Sequence, residues 1–113
     1  MKKTLLVLIL LGLAGCSSIS ELRTRGPDQT FESQKSAKAV SECILFGWQK
    51  MNIRYGVINI QPYGDGFTVF SAENIEVADI TTTASGSSIK FYEQAGTLQY
   101  RTNLSTGVIK SCI

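Results

Sequence analysis

The first fifteen residues constrain the fold most, because their pattern predicts a segment that is cleaved off and takes no part in the folded domain. Lys2 and Lys3 give a short positive region, and an unbroken apolar run follows at 5–11. This order, followed by the small residues Gly12, Ala14 and Gly15, is typical of a secretory signal peptide, which is cleaved on export. The apolar run is shorter than the about 20 residues that cross a bilayer. We therefore expect residues 1–15 to be missing from the mature protein.

The residues at the expected cleavage point carry a resemblance. Leu13-Ala14-Gly15-Cys16 resembles the lipobox of bacterial lipoproteins, with small residues ahead of the cysteine. The resemblance implies cleavage between Gly15 and Cys16, a diacylglyceryl group on the Cys16 thiol and an acylated amino terminus. It also implies the outer membrane and the periplasm as location, because Ser17 is not the aspartate that holds lipoproteins in the inner membrane. An ordinary signal peptide with a coincidental cysteine is the alternative.

The charge balance argues against two classes of partner. Lys2 and Lys3 account for the net charge of +2, so the chain from residue 16 onward is neutral. A nucleic-acid binder needs a basic face, and a membrane-surface segment needs clustered basic residues. We expect no nucleic-acid partner. The expected partners are the membrane, through the lipid, and an envelope protein or peptidoglycan.

The rest of the chain has room for a single domain, because 113 residues do not support a second core. Residues 16–31 are rich in polar side chains and show no sustained apolar periodicity, which predicts a lipidated cysteine followed by a flexible tether. A surface loop or a partner-binding motif are the alternatives for this stretch. Residues 32–113 are predicted to form one α+β domain.

Helical periodicity marks the start of that domain, over residues 33–51. Apolar residues recur there at spacings of three and four, which places them on one face of a helix. They are Ala37, Val40, Ile44, Trp48 and Met51. Ser33 is the predicted N-cap, because a serine side chain can accept a hydrogen bond from the first free amides. Trp48 is expected in the core.

The period shortens to two after Gly56, which predicts strands. Gly64-Asp65-Gly66 contains the Asp-Gly hairpin signal. The short connections predict a four- to five-stranded antiparallel meander, with the helix on one face and the other face mainly exposed to water. The predicted strands are 57–61, 67–70, 75–82, 88–92 and a short fifth strand at 98–101.

The tail, residues 105–113, allows either a helix or a strand. Val108, Ile109, Cys112 and Ile113 form a helical stripe, which favours a short C-terminal helix. Gly107 and the β-branched pair that follows it have low helix propensity.

Two cysteines remain once Cys16 is lipidated. An even pair in an exported chain predicts a structural disulfide between Cys43 and Cys112, with reduced buried thiols or a reactive pair as alternatives. The chain has no Cys-x-x-Cys motif and no histidine to activate a thiol. The run from Cys43 to Trp48, with the distant Cys112, is similar to small uncharacterised proteobacterial lipoproteins. That similarity implies a helix-on-sheet lipoprotein domain.

The sequence contains no group of residues that predicts catalysis. Histidine, the commonest general base and zinc ligand, is absent. We expect no catalytic residue, no metal site and no cofactor; a serine–lysine pair assembled in space is the remaining catalytic alternative. Asp65 is explained as a turn residue. Glu76 and Asp79 are predicted on opposite faces of a strand, because their separation is odd.

Three functional hypotheses fit these observations. The first is a small non-catalytic interaction module whose free sheet face or edge contacts an envelope protein or peptidoglycan. The second is a small-ligand binder with a pocket between helix and sheet, and the third is a phage- or plasmid-borne exclusion lipoprotein that blocks a receptor. The aromatic residues predicted to line the pocket are Trp48, Phe67, Phe91 and Tyr100.

Overall fold

The computed structural model describes residues 16–51 and 55–113. The predicted signal peptide, with Gly15 at its end, lies outside the described residues. The elements are α1 (Ile19–Arg25), β1 (Gln29–Ser33), α2 (Ala37–Gln49), β2 (Asn59–Tyr63), β3 (Gly66–Phe70), β4 (Glu76–Thr83), β5 (Gly86–Glu93) and α3 (Gln99–Cys112). None of the helices described is both long enough and apolar enough to cross a membrane.

The five strands form one antiparallel sheet in the order β1-β5-β4-β3-β2. Strands β2 to β5 follow one another as hairpins, so the predicted α+β meander is confirmed. The fifth strand is β1, which pairs with β5 from Gln29 opposite Phe91 to Ser33 opposite Ser87. The prediction of a fifth strand at 98–101 is wrong, because those residues lie at the start of α3.

Helix α3 confirms the predicted C-terminal helix but begins earlier than the apolar stripe indicates. Its buried face is mainly hydroxyl side chains, which hide the helical period from an analysis of apolar residues. Thr102, Ser105 and Thr106 donate to the carbonyls of the preceding turn at 3.3, 3.0 and 2.9 Å. These local bonds satisfy the buried hydroxyls inside the helix.

Helix α2 lies within the predicted range and packs across the sheet. Its N-cap is Ser36, whose side chain accepts from the Ala39 amide at 3.1 Å. The prediction of Ser33 as the cap is wrong, because Ser33 is the last residue of β1. Trp48 is fully buried, as predicted, and meets Phe91 edge-on with ring centroids 6.3 Å apart. The core between the helices and the sheet also contains Val40, Ile44, Val69, Ala78, Ile80, Ile89 and Ile109.

The segment predicted as a flexible tether is largely folded, which corrects that prediction. Ser18 accepts from the Glu21 amide and the Glu21 carboxylate accepts from the Ser18 amide, forming a capping box at the start of α1. Leu22 is buried against Val77 and Tyr92, on the sheet face opposite α2. The face predicted to be mainly exposed to water therefore carries α1.

Burial of Leu22 gives a testable measure of how firmly α1 is docked. Leu22→Ala is expected to lower the free energy of unfolding by about 2–3 kcal/mol, the usual loss for a large-to-small change in a core. Urea unfolding measures this change. Leu98→Ala is the matched control, because Leu98 is exposed, and it is expected to cost less than about 0.5 kcal/mol. Equal losses in the two variants would show that α1 is not packed on the sheet.

The β2–β3 hairpin turns one residue earlier than the Asp-Gly signal indicates. Tyr63 pairs with Gly66, so the two central residues are Gly64, at φ 56°, and Asp65. A Cβ on Gly66 would meet the carbonyl oxygen of Ile80, so glycine is needed at this strand position for close approach to β4. The prediction that Asp65 is a turn residue is confirmed.

Candidate functional site

Cys16, the predicted lipidation site, is exposed and lies two residues before Ser18, the N-cap of α1. The backbone amide and carbonyl of its neighbour Ser17 are both hydrogen-bonded. The Ser17 amide donates to Oε1 of Gln94 at 2.8 Å, and the Ser17 carbonyl accepts from Nε2 of the same side chain at 2.7 Å. Two bonds to one side chain fix the position of the backbone. We call Cys16, Ser17 and Gln94 the anchor junction.

Gln94 is itself fixed to the end of the sheet. Its backbone amide donates to the Ile75 carbonyl at 3.0 Å, and its Nε2 donates to the Asn74 carbonyl at 3.0 Å. All of these bonds lie where β5 ends and β4 begins. The anchor junction is therefore part of the folded domain, with no free chain between Cys16 and the sheet.

An ion pair between Arg23 in α1 and Asp79 in β4 holds α1 on the sheet. Arg23 donates through Nε and Nη2 to both carboxylate oxygens of Asp79 at 2.9 Å, and Asp79 is 2% exposed. Nη2 also donates to the Thr68 hydroxyl, and the guanidinium carbon lies 3.9 Å from the ring centroid of Tyr63. The hydrogen bonds that Arg23 donates to Asp79 raise the pKa of Arg23. A bidentate arginine–carboxylate pair adds orientation as well as energy.

No protein-family model, curated protein or solved structure matches this chain. The candidate function therefore rests on the contacts of the chain itself.

The predicted disulfide is confirmed. Cys43 in α2 and Cys112 at the end of α3 are bonded, with their Cα atoms 5.7 Å apart and 69 residues apart in sequence. The bond ties the two helices that share one face of the sheet. Its presence accords with an oxidising compartment, where such bonds persist.

A second charged pair lies on the α2 face of the sheet. It was not predicted from the sequence. Glu76, which has no exposed surface, accepts from Nε and Nη2 of Arg101 and from the Ser71 hydroxyl. Arg101 also stacks on Tyr55, 4.5 Å from its ring centroid, and burial raises the pKa of that phenol. The placement of Glu76 and Asp79 on opposite faces of β4 is confirmed, since each contacts a different helix.

A signal for these pairs exists in the sequence. Both acids of β4 are flanked by apolar or β-branched residues inside a strand, a setting in which a carboxylate is buried and needs a partner. The partners, Arg23 and Arg101, lie 56 and 25 residues away along the chain. Residue spacing cannot predict which cation reaches which acid.

Glu93 lies opposite Glu76 in the sheet and is half-buried. Burial raises the pKa of Glu93, and the hydrogen bond from Thr102 opposes the shift. A raised folded pKa means that the stability linked to this group is present below the unfolded pKa and is lost as pH rises through the folded pKa.

We therefore expect Glu93→Gln, which cannot ionise, to gain stability relative to the natural chain between about pH 4 and about pH 7. The amide keeps an oxygen that can accept from Thr102. Thermal unfolding at the two pH values measures the difference. Glu32→Gln, at an exposed position of β1, is the control. A natural chain that gains stability relative to Glu93→Gln as the pH rises would contradict this assignment.

The structure brings together only part of the aromatic set predicted to line a ligand pocket. Trp48 and Phe91 contact each other inside the core, whereas Phe67 is half-buried in β3 and Tyr100 is 58% exposed on α3. The space between α2 and the sheet is filled by side chains at this contact. Ligand binding there remains a prediction.

Two of the open grooves that described residues line are informative about the surface. One, of about 450 Å³, runs along the disulfide between α2 and α3 and is lined by Phe46, Met51 and Val108 among others. The other, of about 350 Å³, lies at the start of α3 beside Leu98 and Tyr100. Across the described residues, no three histidine, cysteine, aspartate or glutamate side chains are placed to hold a metal ion.

Proposed function

We propose that this chain is a lipoprotein of the cell envelope, anchored through a lipid on Cys16 after cleavage between Gly15 and Cys16. The observation that carries the proposal is the anchor junction, in which Ser17, the residue directly after the exposed cysteine, is hydrogen-bonded to Gln94 at the end of the sheet. The described elements, from α1 onward, all lie after the proposed cleavage point, as a processed lipoprotein requires. The Cys43–Cys112 disulfide supports export.

We further propose that the domain is a small non-catalytic interaction module facing the periplasm from the outer membrane. Helices cover both faces of the sheet around β4 and β5, and of the two edge strands, β1 and β2, we propose β2 as the contact surface. All five residues of β2 are exposed. Pro62 lacks an amide donor, so this edge is poorly suited to adding a further strand, and its side chains are the proposed contact with an envelope protein or peptidoglycan.

Replacement of Cys16 tests the anchor. Cys16→Ser is expected to move the protein from the membrane fraction to the soluble fraction and to abolish incorporation of labelled fatty acid. Ser17→Ala is the matched control and is expected to stay in the membrane, because Ser17 contacts Gln94 through its backbone. Membrane retention of Cys16→Ser, or a natural chain without fatty acid, would refute the proposal.

Photo-crosslinking in cells tests the interaction surface. A crosslinking residue at Gln61 in β2 is expected to capture one envelope protein or peptidoglycan fragment. The same residue at Lys38, exposed on α2, is the control and is expected to capture neither. If neither position forms a crosslink, the interaction module is refuted.

A further inference from the structure

The position of Cys16 determines which end of the domain meets the bilayer, if the lipid anchor proposed above is present. Adjacent Cα atoms are about 3.8 Å apart, and Ser17 is bonded at both backbone groups to Gln94. The lipid-bearing residue is therefore held against the end of the sheet. These two bonds leave no free stretch of chain between Cys16 and the domain.

Exposed apolar side chains are found next to this point. The Thr97 amide and hydroxyl donate to the Gln94 carbonyl at 3.2 and 2.6 Å, which closes a turn that leads directly into Leu98. Leu98 is 74% exposed and Tyr100, in the first turn of α3, is 58% exposed. Both border the groove of about 350 Å³ at the start of α3.

The sheet register places a third exposed apolar residue at the same end. Val57, 74% exposed, precedes β2. The first residue of β2, Asn59, pairs with Phe70 at the end of β3, and Phe70 pairs with Val77 near the start of β4. The first residue of β4, Glu76, pairs with Glu93 at the end of β5. The end of the sheet that holds the anchor junction therefore also presents Val57.

We propose that this end of the domain, bearing Leu98 and Tyr100, lies in the headgroup region of the bilayer that holds the lipid on Cys16. Leucine and tyrosine are suited to the interface, where an apolar body can insert and a phenol can remain hydrated. The chain after residue 15 is neutral, so apolar contact drives the insertion and charge attraction to acidic lipids is not needed. The bilayer is the single occupant proposed for this surface.

Lipid quenching of an added tryptophan tests the contact. The acylated full-length protein, extracted from membranes, is reconstituted into phosphatidylethanolamine vesicles containing phosphatidylcholine brominated near the headgroup. The emission added by Leu98→Trp is expected to fall by roughly half, because interfacial insertion brings the ring to the bromines. Trp48 is buried in the core and contributes the same background to every variant.

Lys110→Trp is the matched control, at an exposed position near the other end of α3. It lies about 18 Å from Leu98 along the helix, at about 1.5 Å per residue, and its emission is expected to be unchanged. Equal quenching of the two variants, or quenching of neither, would overturn the membrane contact. The intact mass of the same sample separates the two proposals, since a mass without acyl groups would refute the anchor and this contact together.

Discussion

Replacing Cys43 and Cys112 together with serine is expected to lower the free energy of unfolding by roughly 4 kcal/mol. The disulfide closes a loop of 69 residues, and a cross-link over that length removes much of the conformational freedom of the unfolded chain. A domain of this size has a small core, so the loss is a large share of its total stability. Urea unfolding of the variant and of the natural chain measures it.

Reduction of the natural chain provides the control for this variant. Because the reduced protein and the double serine variant both lack the cross-link, their unfolding midpoints are expected to agree. Ser111→Ala, beside the disulfide on the exposed side of α3, is expected to change stability by less than about 0.5 kcal/mol. A double serine variant as stable as the oxidised chain would show that the disulfide makes no contribution.

Glu76→Gln is expected to cost up to about 3–5 kcal/mol, the loss typical of breaking a buried pair, because it removes the buried charge that accepts from Arg101. The Glu76 carboxylate is fully buried and accepts three hydrogen bonds, two from Arg101 and one from Ser71. An amide can accept at one oxygen only, so part of this set is lost. Chemical unfolding monitored by Trp48 fluorescence measures the change.

Glu73→Gln is the matched control, since Glu73 is exposed and close in sequence, and a loss below about 0.5 kcal/mol is expected. A double-mutant cycle with Arg101→Met measures the interaction energy between the two residues. The two losses of stability are expected to be strongly non-additive, because the residues are in direct contact. Additive losses, or a Glu76→Gln variant no less stable than Glu73→Gln, would contradict the assignment of a buried pair.

The parts of the fold that were predictable from sequence are those with a local pattern. The β2–β5 meander shows a period of two and glycine-containing turns, and α2 shows an apolar stripe that ends at Trp48. The disulfide was predicted from the expected export of the chain and from the pair of cysteines that remains when Cys16 is set aside. Each of these depends on neighbours in sequence or on chain composition.

The parts that were not predictable depend on contacts between distant residues. Helix α1 has seven residues and buries only Leu22, so it is stable only where it packs on the sheet. Helix α3 buries mainly serine and threonine, which show no apolar period. The anchor junction joins Ser17 to Gln94 across 77 residues, and no local pattern indicates that pairing.

The described domain is folded up to Ser17, directly after Cys16, so no tether would separate the proposed lipid from the domain. Amide hydrogen exchange of the acylated protein tests it at Leu22 and Gly26, which donate to the carbonyls of Ser18 and Leu22 at 3.0 and 3.1 Å. We expect both amides to exchange far more slowly than that of Ala95 in an exposed turn. Exchange of residues 17–26 at the rate of an unstructured peptide would contradict the account.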